Sequence, residues 1–313
     1  MLFKERRVDI YLPIAGMSVN IFLILGLGGL VGFLSGLFGV GGGFLLTPLL
    51  MMIGIPPAVA AASGSNQFVA SSASGAYAHK RAGNVDTKLG VVLFTGGIFG
   101  STVGVQAVKF LRLVGDLNFA IRVAYVIVLG GVGIFMFIES LTVLTGRTVK
   151  EEKKESRIRR LAMMLPLQMD FKTSGVKISV ILPFFLGFGV GFLGALMGVG
   201  GGFIMLPAMI YILGMPTLLA IGTDLFQIII TSISTTIQQA FFNHTVDVGL
   251  ALLLLFGSTI GAQFGVRASR KLRAEQLRIL LAGIVLAVMF MILYELMATP
   301  SELISLATEG GGH

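Results

Sequence analysis

The sequence contains no cysteine and few charged residues, and both shortages exclude whole classes of protein. Without cysteine there are no disulfides, thiolate metal sites or cysteine nucleophiles. No pair of histidines has metal-ligand spacing, and no Gly-x-x-x-x-Gly-Lys-Ser/Thr phosphate loop is present. We therefore predict no enzyme, no cofactor and no ATP-driven pump. Charged residues make up only 12% of the chain, against about 25% in soluble domains, which excludes a water-soluble globule.

What the sequence has in abundance is apolar residues. They make up 55% of the chain, and the mean hydropathy is +0.93. The 313 residues suffice for eight spans of about 20 residues each. We predict an all-α polytopic membrane protein whose first apolar segment, after Lys4, Arg6 and Arg7, is retained and not cleaved as a signal peptide. The net charge of +8 lies in loops between apolar segments, which indicates contact with the lipid bilayer and no nucleic acid.

An internal repeat divides the chain. Gly39 to Phe44 recurs as Gly198 to Phe203, and Pro48 recurs as Pro207. Further matches follow between Gln67 and Gln227, and between the Val-Asp pairs 85–86 and 246–247. We predict two homologous four-segment halves, each with a glycine-broken first segment. The predicted units are residues 1–144 (first transmembrane repeat), 145–177 (basic cytoplasmic loop), 178–298 (second repeat) and 299–313 (tail).

The distribution of basic residues predicts how the halves are oriented. If each broken segment crossed the membrane once, the basic loops at 145–177 and 267–278 would fall on opposite sides, against the positive-inside rule. If each segment instead enters and leaves on one face, the halves are inverted repeats. Both loops are then cytoplasmic and both termini lie outside.

The repeated pattern Gly-x-x-Gly-Val-Gly-Gly-Gly-Phe-x-x-x-Pro resembles the sulfite exporter TauE/SafE family, also called the toluene-sulfonate uptake permease family. The resemblance extends from about Ile10 to about Leu296. It implies a multi-pass permease of the bacterial inner membrane that moves sulfite, sulfonates or other small sulfur-containing anions. The loop at 145–177 is longer than compact members need, and it leaves room for a role of its own.

The glycine clusters are the first candidate for an anion site. Backbone amides at helix N-termini attract anions, and glycine allows a ligand to approach the backbone closely. The candidate residues are Gly41, Gly42, Gly43, Gly200, Gly201 and Gly202. The alternative is that these glycines only permit close helix packing, which is our interpretation of the four-residue spacing of Gly28, Gly32 and Gly36, and of Gly187 and Gly191.

Polar side chains in the segment after each break are the second candidate. Ser63 and Gln67 in the first half correspond to Thr223 and Gln227 in the second, and Asn66 is a further polar candidate in the first half. Positions 63, 67, 71 and 74 share one helix face, as do 223, 227, 231 and 234. These faces predict a small cavity lined by hydroxyls and amides. The alternative is hydrogen bonding between helices, which is common for Ser and Thr in membrane bundles.

Asp224 is the one acidic residue well inside an apolar segment. A carboxylate in the membrane is expensive and usually functional, so one hypothesis is that Asp224 couples transport to protons. The alternative is an aspartate near the interface, stabilised by the helix dipole. Asp86 and Asp247 stand at the starts of segments, where we predict that they cap helices.

The internal symmetry around two broken segments favours a secondary transporter, and the family resemblance implies small sulfur-containing anions as its substrates. The alternatives are a passive anion channel, or a membrane scaffold or signalling protein that acts through the basic central loop. The sequence does not determine which anion is moved, the direction of transport or the oligomeric state.

Overall fold

The computed structural model describes residues 8–38, 43–115, 117–144, 166–269 and 274–297. Within these ranges the chain is mostly helical, and each half has the same elements in the same order, a hairpin of two strands followed by five helices. The first half comprises β1 (Asp9–Leu12), β2 (Met17–Asn20), α1 (Ile21–Phe38), α2 (Gly43–Met52), α3 (Pro57–Arg81), α4 (Thr87–Val114) and α5 (Leu117–Leu144). The second comprises β3 (Gln168–Phe171), β4 (Val176–Ser179), α6 (Ile181–Met197), α7 (Gly202–Tyr211), α8 (Thr217–Gln238), α9 (Val248–Ser269) and α10 (Ala274–Met297).

Six of the described helices are long and apolar enough to cross a membrane, which makes this a multi-pass membrane protein. They are α1, α4, α5, α8 with the π-helical turn that follows it (Gln239–Asn243), α9 and α10. The helices α2, α6 and α7 are apolar but shorter. The 25-residue α3 is long, but its many serines and glycines lower its hydropathy. Together with α3 and the shorter helices, these six occupy the eight apolar segments expected from the sequence.

The sequence did not predict the two β-hairpins, and residues 168–177 of the second one belong to the predicted loop at 145–177. In the first hairpin Asp9 pairs with Asn20 and Leu12 with Met17. In the second Gln168 pairs with Ser179 and Phe171 with Val176. Each hairpin ends in a polar residue whose side chain accepts a hydrogen bond from a backbone N–H of the next helix. Asn20 Oδ1 accepts from Phe22 N at 2.9 Å, and Ser179 Oγ accepts from Ile181 N at 3.3 Å. The hairpins therefore lead directly into α1 and α6.

Glycine rows bring α1 against α9 and α4 against α6. A methyl group on Gly96, Gly100 or Gly104 of α4 would overlap or press on the carbonyl groups of Phe184, Phe188 and Phe192 of α6, respectively. Gly28, Gly32 and Gly36 of α1 meet the backbone of Leu254, Ser258 and Ala262 of α9 in the same way. Since residue numbers rise together in both pairs, the two helices of each pair are parallel. The packing interpretation of the glycines spaced by four is confirmed.

Helices α3 and α8 hold equivalent places in the two halves and run antiparallel to each other. Gly222, near the start of α8, lies against His79 in the last turn of α3 and against Asn84 just after that helix. At the other end, Ser63 near the start of α3 accepts a hydrogen bond of 2.9 Å from the backbone N of Asp247, just past α8. Two helices that carry many serine, threonine and glutamine side chains thus pack against each other.

Candidate functional site

The start of α2, which follows the first glycine-rich break in the sequence, lies against the second break between α6 and α7. In the second half α6 ends at Met197 and α7 begins at Gly202, and Gly198, Gly200 and Gly201 between them have positive φ angles of 71°, 69° and 81°. Side chains rarely adopt this backbone conformation, so glycine is required there. In the first half α1 ends at Phe38 and α2 begins at Gly43. The candidates Gly41 and Gly42 lie outside the described residues.

Contacts between the halves join the start of α2 to the second break and the start of α7. A methyl group on Gly43 would come within 2.7 Å of the carbonyl oxygen of Val199. Just past the breaks, the rings of Phe44 and Phe203 lie 5.5 Å apart. The first residues of α2 and α7, where helices have amides without intrahelical partners, therefore come close together in the protein interior.

Buried polar atoms without a hydrogen-bond partner concentrate on α3 and α8. Among the described residues ten such side-chain atoms occur, and eight of them belong to these two helices. They belong to Gln67 (both amide atoms), Ser72, His79, Asp224, Ser232, Thr236 and Gln238. A buried polar group without a partner costs about 1–3 kcal/mol, so such a concentration calls for an explanation, and a polar solute that binds there would supply partners.

A small cavity lies between α3, α6, α8 and the second break. Its volume is about 20 Å³, and it is lined by Ser65, Val190, Gly191, Gly194, Gly200, Gln227, Thr231, Ser232 and Thr235. A space of this size holds about one water molecule and is too small for sulfite or a sulfonate. Of the residues on which the predicted site was built, Gly200, Gln227 and Thr231 line it. No lysine or arginine is among its lining residues in the described part of the chain.

Ser63 and Thr223 have other partners. Thr223 Oγ1 accepts a hydrogen bond of 3.0 Å from the backbone N of Asp86, and Ser63 Oγ accepts the equivalent bond from Asp247. Each hydroxyl oxygen thus accepts a hydrogen bond from the backbone of the aspartate that precedes a helix, Asp86 before α4 and Asp247 before α9. They lie at opposite ends of the α3–α8 pair and do not line the cavity, so the structure does not bring these two candidates together.

Asp86 and Asp247 cap helices as predicted. Asp86 Oδ1 accepts from Leu89 N at 3.1 Å, and Asp247 Oδ1 accepts from Leu250 N at 3.2 Å. The second oxygen of each binds a hairpin, which the sequence did not indicate. Asp86 Oδ2 accepts from Ser174 N and Ser174 Oγ, at 3.1 and 2.5 Å, and Asp247 Oδ2 accepts from Ile14 N at 3.0 Å. Each hairpin is therefore fastened to the helix start that also binds α3 or α8.

The remaining candidates differ in burial. Gln67 and Asp224 are fully buried. Asp224 lies seven residues after the first residue of α8; its Oδ1 accepts from Gln227 Nε2 at 3.0 Å, and its Oδ2 has no partner in the described part of the chain. Asn66 is only partly buried. Gly201 and Gly202 are buried at the second break, where a methyl group on Gly201 would overlap Val190.

Three polar residues that line the cavity and one aromatic neighbour were not among the predicted site residues. Ser65, Ser232 and Thr235 line the cavity, and Phe68 packs against Gly200. Thr235 follows Thr231 by four residues, a spacing that places both on one helix face and was available from the sequence. No signal in the sequence distinguishes Phe68 from an ordinary core residue. Within the described ranges, no group of three or more His, Asp and Glu residues is placed to hold a metal ion.

The sequence of this chain is similar to those of known membrane transporters. The family model of the sulfite exporter TauE/SafE matches residues 24–292. A probable membrane transporter protein of Bacillus subtilis, YunE, is 27% identical over 290 residues, which cover 89% of this chain and 98% of that protein. A probable membrane transporter protein of Xylella fastidiosa is 28% identical over 259 residues, covering 82% and 88%.

A plant relative matches a shorter stretch. Sulfite exporter TauE/SafE family protein 6 of Arabidopsis thaliana is 37% identical over 75 residues, 24% of this chain and 18% of that protein. No solved structure matches. The family model spans most of the chain, including both glycine breaks and the helices on either side of them. The chain thus belongs to the sulfite exporter TauE/SafE family, which is a family of membrane transporters and not of enzymes.

Proposed function

We propose that the protein is a secondary transporter for small sulfur-containing anions such as sulfite or organosulfonates, in the inner membrane of a bacterium. The observation that carries this proposal is the contact of the start of α2 with the second helix break, beside buried polar atoms that have no partner among the described residues. Helix breaks at membrane depth are typical of transporter binding sites, where half-helix N-termini point at anionic groups. The family's name supplies sulfite as the substrate to test first.

The substrate site in this proposal is formed by the two breaks and the facing polar side chains. Its amides come from Gly41, Gly42, Gly43, Gly200, Gly201 and Gly202. Gln67 and Gln227 would donate to anion oxygens from their side-chain amides, and the hydroxyls of Ser232 and Thr235 add further donors. Such neutral donors bind a compact anion without the strong attraction of a lysine or arginine, which favours release on the other side.

The cavity, with a volume of about 20 Å³, is too small for such an anion. A bound anion needs more room, so α3, α6 and α8 must separate for it to enter. Alternating access of this kind commonly works by movement of one inverted repeat against the other.

Inverted halves are part of the proposal, and the packing of α3 against α8 supports them. These helices are equivalent in the repeat but antiparallel, as expected if the halves run through the membrane in opposite directions. The hairpins β1–β2 and β3–β4 then lie on opposite faces. The hydrogen bonds between Ser174 and Asp86 link β3–β4 to the face of Lys80, Arg81 and Lys88, and this basic face is the cytoplasmic one by the positive-inside rule.

Single cysteines test the orientation because the chain has none of its own. Ser18 and Thr173 are exposed residues of the two hairpins. We expect Ser18→Cys to react with an impermeant thiol reagent added outside intact cells, and Thr173→Cys to react only after the membrane is opened. Reaction of both from the same side would show that the halves are not inverted.

Transport is tested with purified protein in liposomes. Uptake of sulfite, methanesulfonate, taurine, thiosulfate and sulfate is compared with that of protein-free liposomes. Counter-flow, in which unlabelled anion inside drives entry of labelled anion, distinguishes a carrier from a passive channel. Saturable sulfite or sulfonate uptake with counter-flow supports the proposal. If uptake of all five anions equals that of empty liposomes, the proposed substrate class is wrong.

A further inference from the structure

Phe68 of α3 lies between Gly43, the first residue of α2, and Gly200 in the break between α6 and α7. Its side chain is fully buried. A methyl group on Gly43 would overlap Cζ and Cε1 of the ring, and a methyl group on Gly200 would lie 2.6 Å from Cδ2 and 2.9 Å from Cε2. Opposite edges of one ring therefore touch the first residue of α2 and the break between α6 and α7. Neither contact would be possible if these positions were not glycine.

The ring also adjoins the polar cavity, because Gly200 borders both. Ser65, another residue that lines the cavity, precedes Phe68 by three residues and so lies on the same face of α3. The space next to the cavity on the side of the first half is therefore filled by the Phe68 ring. If this ring were smaller or displaced, the cavity would extend towards Gly43.

The equivalent position of the second half does not carry an aromatic residue. Phe68 corresponds to Ile228 of α8, since Gln67 corresponds to Gln227 in the repeat. Ile228 is also buried, with 1% of its surface exposed. The two halves thus differ at this position in the size and shape of the side chain, and Ile228 provides a matched control.

We infer that Phe68 sets the upper size of the anion that the site accepts. Sulfite carries no substituent on its sulfur, whereas a sulfonate carries an organic group that needs space beyond the anion oxygens. With the ring in place, that space is closed on the side of the first break, so the wild-type protein prefers sulfite and the smallest sulfonates. This inference rests on the proposed function, because it assigns the specificity of the same site.

Removal of the ring creates a predictable vacancy. An apolar cavity left by deletion of a large side chain stays dry and can bind benzene. Phe68→Ala should therefore accept benzenesulfonate, whose phenyl group replaces the deleted ring. Pockets discriminate by about 10–200-fold for a single methylene, so relief of a clash with a whole ring should change the preference by at least about tenfold.

The test measures uptake of sulfite, methanesulfonate and benzenesulfonate by liposomes that contain the full-length protein. Phe68→Ala should raise the uptake ratio of benzenesulfonate to sulfite at least about tenfold. Phe68→Leu, which leaves a smaller cavity and is the safer variant for folding, should give an intermediate ratio. Ile228→Ala should leave the ratio unchanged.

Two results overturn the inference while the proposed function stands. One is that Phe68→Ala or Phe68→Leu transports sulfite and keeps the wild-type ratio of benzenesulfonate uptake to sulfite uptake. The other is an increase in Ile228→Ala as large as that in Phe68→Ala. If the wild-type protein transports no anion of the series, the proposed function fails and the inference fails with it.

Discussion

The substitution Asp224→Asn tests whether this buried carboxyl group couples transport to protons. Asparagine has nearly the same shape and cannot ionise, so it mimics the protonated aspartic acid. Its Oδ1 can still accept the hydrogen bond from Gln227 Nε2 that Asp224 Oδ1 accepts at 3.0 Å. Its Nδ2 replaces Oδ2, which has no partner among the residues described. The variant should therefore fold and insert like the wild type.

The expected effect on accumulation follows from the energy of a proton gradient. A carrier that moves one proton with each monovalent anion carries no net charge, so the pH difference alone drives it. Each pH unit corresponds to about 1.4 kcal/mol, which is a tenfold concentration ratio. A difference of about two units, acidic outside, should let the wild type concentrate the anion up to about 100-fold inside. Asp224→Asn should reach a ratio of about 1.

The assay is uptake of labelled sulfite into liposomes after an imposed pH jump, followed by counter-flow at equal pH on both sides. The wild type should accumulate substrate in the first experiment and exchange it in the second. Asp224→Asn should exchange without accumulating. The control is Asp247→Asn, because both oxygens of this buried aspartate already have partners in Leu250 and Ile14. It should lose stability but keep pH-driven accumulation.

The reasoning is refuted if Asp224→Asn still concentrates sulfite against its gradient under the pH jump. Asp224 would then be a structural residue despite its burial. If Asp247→Asn loses accumulation but retains exchange, coupling does not belong to Asp224 alone.

Two further predictions concern the packing that surrounds the site. Gly100→Ala should destabilise the protein by about 1–3 kcal/mol, because the added methyl would overlap the Phe188 carbonyl, whereas Gly131→Ala meets no atom within 4 Å; equal melting temperatures in detergent would contradict this. Ser174→Ala should cost about 1.5–3 kcal/mol through loss of its hydroxyl bond to Asp86 Oδ2. The exposed neighbour Thr173→Ala should change stability by less than about 0.5 kcal/mol, and the same change in both variants would refute the role of this bond.

The sequence by itself determined the class of protein and its internal repeat. Low charge and long apolar segments require a membrane environment, because a chain of this composition cannot be covered by polar residues. The four-residue spacing of Gly28, Gly32 and Gly36 predicted close helix packing, since glycines on one face let backbones approach. The capping roles of Asp86 and Asp247 were also predictable, because a helix start is a local feature of the chain.

The partners of polar side chains were decided only by the tertiary structure. Ser63 and Thr223 have the spacing of cavity residues, but their hydroxyls bind the backbone of Asp247 and Asp86, which are 184 and 137 residues away. Spacing determines the face of a helix and not what that face meets. The position of Phe68 could not be predicted for the same reason, because its ring touches Gly43 and Gly200, which are far from each other in sequence.

The two hairpins were the elements least predictable from the sequence, because their stability depends on contacts with the rest of the fold. Their strands have four residues each, too few for the alternation of polar and apolar residues to be recognised. An isolated two-stranded hairpin is only marginally stable in water. Here each one is held by an aspartate at the start of a helix, Asp247 for β1–β2 and Asp86 for β3–β4. The sequence determined that the helices start at these aspartates, but only the folded chain brings the hairpins to them.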